Sequence, residues 1–174
     1  MDRKTGGIVG TLASIIAAIL IAYILAVIGL DGVEAAFQQP ALSIMILLLL
    51  SGLTALYGYI YYTEESYKYM RFLSPLALAL AGAGVAVGVY DWLAGGALIV
   101  LGYIVEFIVG YHLAKDFACD SPEGAKFFLV GVSVYMLGLP FIILSKYAAF
   151  VSLAGDLVKL YGLILVLEGI SESQ

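Results

Sequence analysis

Charge is scarce in this sequence. Only 12% of its 174 residues are Asp, Glu, Lys or Arg, 63% are hydrophobic, and the mean hydropathy is +1.07. Soluble domains contain about 25% charged residues. The composition therefore predicts an integral membrane protein, located in the cell membrane with the lipid bilayer as its main partner.

Cysteine, histidine and basic residues are also rare. One cysteine allows no disulfide within the chain, and one histidine allows no bis-histidine haem. Eight basic residues and a formal net charge of −5 leave no basic surface for nucleic acid. We therefore expect no cofactor and no nucleic-acid partner. Asparagine is absent, which is typical of thermophilic proteins.

Common catalytic motifs are missing as well. There is no HExxH, paired CxxC, GxSxG or glycine-rich phosphate loop. Metal-ligand residue types occur together only at His112, Asp116, Cys119 and Asp120. These could serve a metal-dependent membrane enzyme, or they could belong to a solvated turn before a helix that starts at Ser121 and Pro122.

Long apolar runs divide the chain into six segments, each about 20 residues long and able to cross a bilayer. They lie at about 7–30, 40–62, 74–90, 93–114, 127–144 and 147–170. We expect one all-α domain, a bundle of six transmembrane helices. Pro40 and the pair Ser74–Pro75 are typical of helix starts, and Pro140 predicts a kink.

Basic residues between the segments predict the orientation. With the N-terminus inside, only Lys146 lies outside, and the cytoplasmic side holds Arg3, Lys4, Lys68, Arg71, Lys115 and Lys126. An even number of spans then puts both termini in the cytoplasm.

Small residues predict close helix packing. Segment 74–90 is nearly all Ala, Gly and Val, so we expect it to be the central helix and to line the interior with segments 93–114 and 147–170. The six tyrosines at positions 57, 59, 61, 62, 67 and 69 suit an interfacial belt or, alternatively, a binding surface for a quinone or another aromatic ligand. An inverted repeat of two three-helix halves fits the span count, but no clear sequence repeat supports it.

Three ionisable residues, Glu106, Asp156 and Lys159, lie deep within apolar segments. The helical rise of about 1.5 Å per residue puts them in one layer near the bilayer midplane. If their helices are neighbours, Lys159 can bridge the two carboxylates. The expected hydroxyl partners in this layer are Tyr103, Tyr135 and Tyr161.

This layer has three interpretations. It could be a buried ion-pair network that fixes helix register, although desolvation makes such networks weak stabilisers. Alternatively, Glu106 binds a proton or cation while Asp156 and Lys159 compensate each other. A third interpretation pairs one of the charges with another subunit.

The leading functional hypothesis is a small transporter, or transporter subunit, for an ion or small polar solute that binds at this layer. The alternative is an accessory or assembly subunit of a larger membrane complex, or of a homo-oligomer, without chemistry of its own. A membrane enzyme built on the residues near His112 is the third hypothesis.

Overall fold

The computed structural model describes residues 1–64 and 66–172. Within them the elements are α1 (Arg3–Asp31), α2 (Val33–Ala36), α3 (Ala41–Tyr62), α4 (Tyr67–Gly88), α5 (Trp92–Asp120), α6 (Pro122–Gly138) with a 3₁₀ turn (Leu139–Ile143), and α7 (Ala148–Glu172). All except α2 are long and apolar enough to cross a membrane, with α6 counted together with its turn. The predicted all-α membrane fold with six spans is confirmed.

The six long helices form a ring. Around it the order is α1, α3, α4, α5, α6 and α7, and α7 closes on α1. Packing is most extensive within the pairs α1–α3, α4–α5 and α6–α7, and it is thinner between α3 and α4 and between α5 and α6. The α4–α5 hairpin is therefore separated from the other four long helices by two thin seams.

Capping side chains begin several helices. Asp2 accepts a hydrogen bond from the Thr5 backbone N–H at 2.7 Å, and this bond lowers the pKa of the Asp2 carboxyl. The Ser121 hydroxyl accepts from the Gly124 N–H at 3.2 Å. The prediction that Ser121 precedes a helix start is thus confirmed, because Pro122 is the first residue of α6.

Two segments that were expected to be loops, before Pro75 and near Lys115, are helical instead. Pro75 does not begin a helix but lies inside α4, which starts at Tyr67 because residues 67–74 already form helical turns. The expected turn near Lys115 is also helical, since α5 continues to Asp120. It stops at Ser121, whose extended backbone is the conformation favoured before a proline. The expected loop residue Glu65 lies outside the described residues.

The prediction that 74–90 is the central helix is wrong. The ring has no central helix, and the most apolar stretch of α4 is 22% buried, compared with 39% in α1. The small residues of α4 make close contacts with α5 at Gly84 and with the Phe37 ring at Gly88. A Cβ on Gly84 would lie 2.7 Å from the carbonyl oxygen of Gly95, so only glycine fits there.

Helices α6 and α7 touch through their backbones. A Cβ on Gly131 would collide with the Lys159 backbone nitrogen, and one on Gly155 would collide with that of Tyr135. Near Pro140 the α-helix ends at Gly138 and tightens into the 3₁₀ turn. The Ser152 hydroxyl donates to the Tyr135 carbonyl at 3.0 Å, one turn before this break. These contacts fix Tyr135 beside α7.

We predict that Gly131→Ala destabilises the protein by about 1–3 kcal/mol, because the added methyl forces the backbones of α6 and α7 apart. The matched control is Gly96→Ala, since a Cβ on Gly96 meets nothing within 4 Å. Thermal melting in detergent measures both variants. Equal melting temperatures would show that the α6–α7 contact is not rigid.

Candidate functional site: a cavity inside the helix ring

A cavity of about 170 Å³ lies inside the ring and is lined by residues from all six long helices. Most of its wall is apolar. The polar side chains in the wall belong to Ser14, Tyr59, Ser74, Tyr103, Glu106, Tyr135 and Lys159. Four of the six residues predicted for the midplane layer therefore line one cavity: Tyr103, Glu106, Tyr135 and Lys159.

Glu106 lines this cavity and is exposed. It lies between Gly102 and Gly110, which are one turn away on either side and face the neighbouring helices. A Cβ on Gly102 would lie 2.9 Å from the Ala77 carbonyl oxygen of α4, and one on Gly110 would lie 3.7 Å from Val132 of α6. Gly102 therefore brings α5 close to the α4 backbone, whereas Gly110 allows only ordinary contact with α6, and the Glu106 side chain lies at the cavity between them.

Lys159 and Asp156 form a close pair on α7. The Lys159 Nζ lies 2.6 Å from Asp156 Oδ1, and the two residues are only 9% and 1% exposed. The same ammonium is 5.1 Å from the centre of the Tyr135 ring. Lys159 lines the cavity, whereas Asp156 is not part of the wall. The positive charge of Lys159 at the cavity is thus compensated by Asp156, which lies outside the cavity wall.

The expected bridge from Lys159 to Glu106 is not formed, since no ion pair joins them within residues 1–64 and 66–172. The reason is the order of the helices around the ring. Helix α6 lies between α5 and α7, which have few contacts with each other. Glu106 and Lys159 therefore share a cavity without sharing a salt bridge.

Tyr161 is not brought to the cavity. It is 50% exposed, and its ring centre lies 5.0 Å from that of Phe127. Two residues along a helix turn the side chain by about 200°, so Tyr161 and Lys159 point to opposite faces of α7. The spacing alone could have excluded Tyr161 from the layer.

The rings of Tyr103 and Tyr135 lie between two cavities. Their centres are 5.3 Å apart in an edge-to-face arrangement. Both residues also line a second cavity of about 80 Å³, whose other walls are Phe37 and apolar side chains from α1, α2, α3, α5 and the 3₁₀ turn. This aromatic pair lies between the central cavity, which contains the polar cluster, and an apolar one.

Three polar residues of the cavity were not predicted from the sequence to belong to the site: Ser14, Tyr59 and Ser74. The Tyr59 hydroxyl donates to the Ser14 hydroxyl at 3.0 Å, and both residues line the central cavity. Tyr59 fell within the expected interfacial belt, but it is 4% exposed. The small residues at Ala55 and Gly58, on the same side of α3, were the available signal that this face packs inward.

Asp116, one of the metal candidates, holds the turn between α3 and α4. Its carboxylate accepts hydrogen bonds from the backbone N–H groups of Glu64 and Ser66, at 3.2 and 3.1 Å, and from the Ser66 hydroxyl. Asp116 is buried, so these donors replace the water it has lost.

The other metal candidates have separate contacts. Asp120 accepts from the Tyr62 hydroxyl at 2.7 Å, and its carboxylate lies 3.5 Å from an Arg3 guanidinium nitrogen. The His112 ring stacks on Tyr69 at 3.6 Å, and Cys119 is exposed. No group of three or more His, Cys, Asp or Glu side chains that could hold a metal occurs in the part of the chain that the structure describes.

The sequence is similar to part of a transport protein. The diacetylchitobiose uptake system permease protein DasB of Streptomyces coelicolor is 28% identical over 95 residues, which are 53% of this chain and 29% of that protein. The chain thus spans less than a third of the length of the permease it matches. No protein-family model matches the chain, and neither does any solved structure.

We predict that Lys159→Met destabilises the protein by about 3–5 kcal/mol, because Asp156 would remain buried without its partner. Thermal melting measures the loss. The double variant Lys159→Met with Asp156→Leu should recover most of it, since both buried charges are then removed. A single variant as stable as the original protein would show that the pair is not buried as ions.

We predict that Asp116→Ala destabilises the protein by about 2 kcal/mol or more, because it leaves the N–H groups of Glu64 and Ser66 without an acceptor. The exposed neighbour Cys119→Ser is the control and should melt like the original protein. A chelator should change neither melting temperature. A drop in melting temperature on chelation would instead point to a metal at this end of the bundle.

Proposed function

We propose that this protein is a membrane transporter, or the membrane component of one, for an ion or small polar solute, and that the central cavity is its substrate site. The observation that carries the proposal is Glu106, a carboxylate without an ion-pair partner within the described residues, at a cavity enclosed by apolar helices. A charge at such a depth is costly unless water or a ligand meets it. The similarity to an uptake-system permease supports the same class of function.

The distribution of charge supports a division of roles. Lys159 and Asp156 compensate each other at 2.6 Å, so Glu106 supplies the net charge of the cavity. Glu106 belongs to the α4–α5 hairpin, and the ion pair belongs to the four remaining long helices. A small shift of the hairpin along its two thin seams would change access to the cavity, which is how many transporters expose a midplane site to alternate sides.

We further propose that both termini lie in the cytoplasm. The end of the bundle that carries the termini also carries the turn between α3 and α4 and the junction between α5 and α6. Most basic residues outside the helix centres belong to this end, in agreement with the positive-inside rule.

A second candidate function is a subunit of a larger membrane complex. The relative is named as the permease of an uptake system, and this chain covers only 29% of it. Many large apolar side chains on the outer surface of the ring would then meet partner subunits as well as lipid. Gentle purification from native membranes distinguishes the two candidates, because a stable heteromeric complex favours the subunit and a chain purified alone disfavours it.

We predict that Glu106→Gln reduces transport at least tenfold in vesicles containing the purified protein, since the neutral amide no longer attracts a proton or cation. The assay applies a membrane potential and follows internal pH with a trapped dye, together with uptake of labelled ions and small polar solutes, including diacetylchitobiose. The matched control Glu168→Gln changes an exposed acid outside the cavity and should retain the original rate.

Two results would contradict this proposal. Equal transport by Glu106→Gln and the original protein would remove Glu106 from the mechanism. Absence of flux for every ion and solute, with a correctly folded protein, would reject the lone transporter and leave the subunit.

A further inference from the structure

The charge of the cavity wall selects for a cation. The Lys159 ammonium is already engaged by Asp156 at 2.6 Å and lies 5.1 Å from the Tyr135 ring centre. Glu106 lines the cavity, is exposed, and has no ion-pair partner in residues 1–64 and 66–172. An anionic substrate would meet this carboxylate without a free cation to bind, whereas a cation would neutralise it.

The remaining wall does not suit an inorganic divalent ion. Calcium takes six to eight oxygen ligands and magnesium an octahedral set. Among the described residues Glu106 is the only carboxylate that lines the cavity, and the other side-chain oxygens there belong to serine and tyrosine hydroxyls. No candidate metal-holding group of three or more side chains occurs among the described residues.

The size and polarity of the cavity favour an organic body. Its volume of about 170 Å³ is between five and six times the ~30 Å³ that one water occupies. The wall beyond the polar cluster is formed by aliphatic and small side chains, among them Ala17, Leu48, Ala55, Ala77, Ala81 and Leu163. A bare ion would leave this apolar wall without contact, whereas an apolar group would fill it.

An aromatic ring stands next to the carboxylate. Tyr103 precedes Glu106 by three residues, so both lie on one face of α5, and both line the cavity. The ring of Tyr135 already faces the Lys159 ammonium, which leaves the ring of Tyr103 for a ligand. A carboxylate beside an aromatic ring suits an organic ammonium, which binds through charge and through the ring face.

We infer that the central cavity binds a small monovalent organic cation, an ammonium whose charge lies between Glu106 and Tyr103 and whose apolar part fills the opposite wall. The inference rests on the proposed function, because it names the substrate class of the same cavity.

Binding of benzyltrimethylammonium to the purified full chain, measured by calorimetry, tests this inference. Benzyl alcohol and benzoate have a similar ring without the positive charge. We expect the ammonium to bind at least tenfold more tightly than benzyl alcohol, and benzoate not to bind. Glu106→Gln should weaken ammonium binding at least tenfold, Tyr103→Leu should weaken it several-fold, and Glu168→Gln should bind like the original protein. Melting temperatures without ligand verify that each variant is folded.

The inference is overturned if benzyl alcohol binds as tightly as the ammonium, or if folded Glu106→Gln keeps the original affinity. The two proposals fail separately. Glu106-dependent proton flux without ammonium binding leaves the transporter and overturns the organic cation. Glu106-dependent ammonium binding without flux of any solute leaves the binding site and rejects transport by the lone chain.

Discussion

The glycine contact between α6 and α7 is the constraint on which the candidate site depends. Because Gly131, Gly155 and Gly162 have no side chains, the two backbones touch along several turns. This register holds Lys159 next to Tyr135 and at the cavity. Burying an ammonium is costly, and Asp156 offsets the cost from the same face of α7, one turn earlier. The pair forms within α7 without a residue of α5, and Glu106 has no ion-pair partner within the described residues.

Closely packed and loosely packed helix pairs alternate around the ring, and the cavity is lined by helices of both kinds of pair. In a bilayer the hydrophobic effect does not drive helices together, so close packing decides which contacts are strong. Backbones meet at glycines within α4–α5 and within α6–α7. Across the seam between α5 and α6, in contrast, a Cβ on Gly110 would reach only ordinary contact with Val132, at 3.7 Å. The carboxylate and the ion pair thus belong to units that have little backbone contact with each other.

The sequence predicts the six spans well because apolar length alone identifies a membrane helix. It also predicts that Glu106 and Lys159 share a depth, because rise per residue is constant. The sequence cannot predict the order of the helices around the ring, since every segment is largely apolar on all sides. The position of α6 between α5 and α7 was therefore not predicted. The role of Asp116 could not be predicted from the sequence either, because its partners include backbone N–H groups about 50 positions earlier in the chain, at Glu64 and Ser66.

The acidic side chains of α5 and α7 that lie between helices differ in their interaction partners. Asp116 accepts from two backbone N–H groups and a serine, Asp120 meets Tyr62 and Arg3, and Asp156 meets Lys159. Hydrogen-bond donors replace much of the water that Asp116 and Asp120 lose on burial. Asp156 has the Lys159 charge nearby, but neither of its carboxylate oxygens has a hydrogen-bond partner within the described residues. Glu106 has no such partner within the described residues, although it lies between helices in an apolar segment. A carboxylate in an apolar segment is costly unless a proton, water or a cation meets it, and this cost is the physical basis of the proposed site.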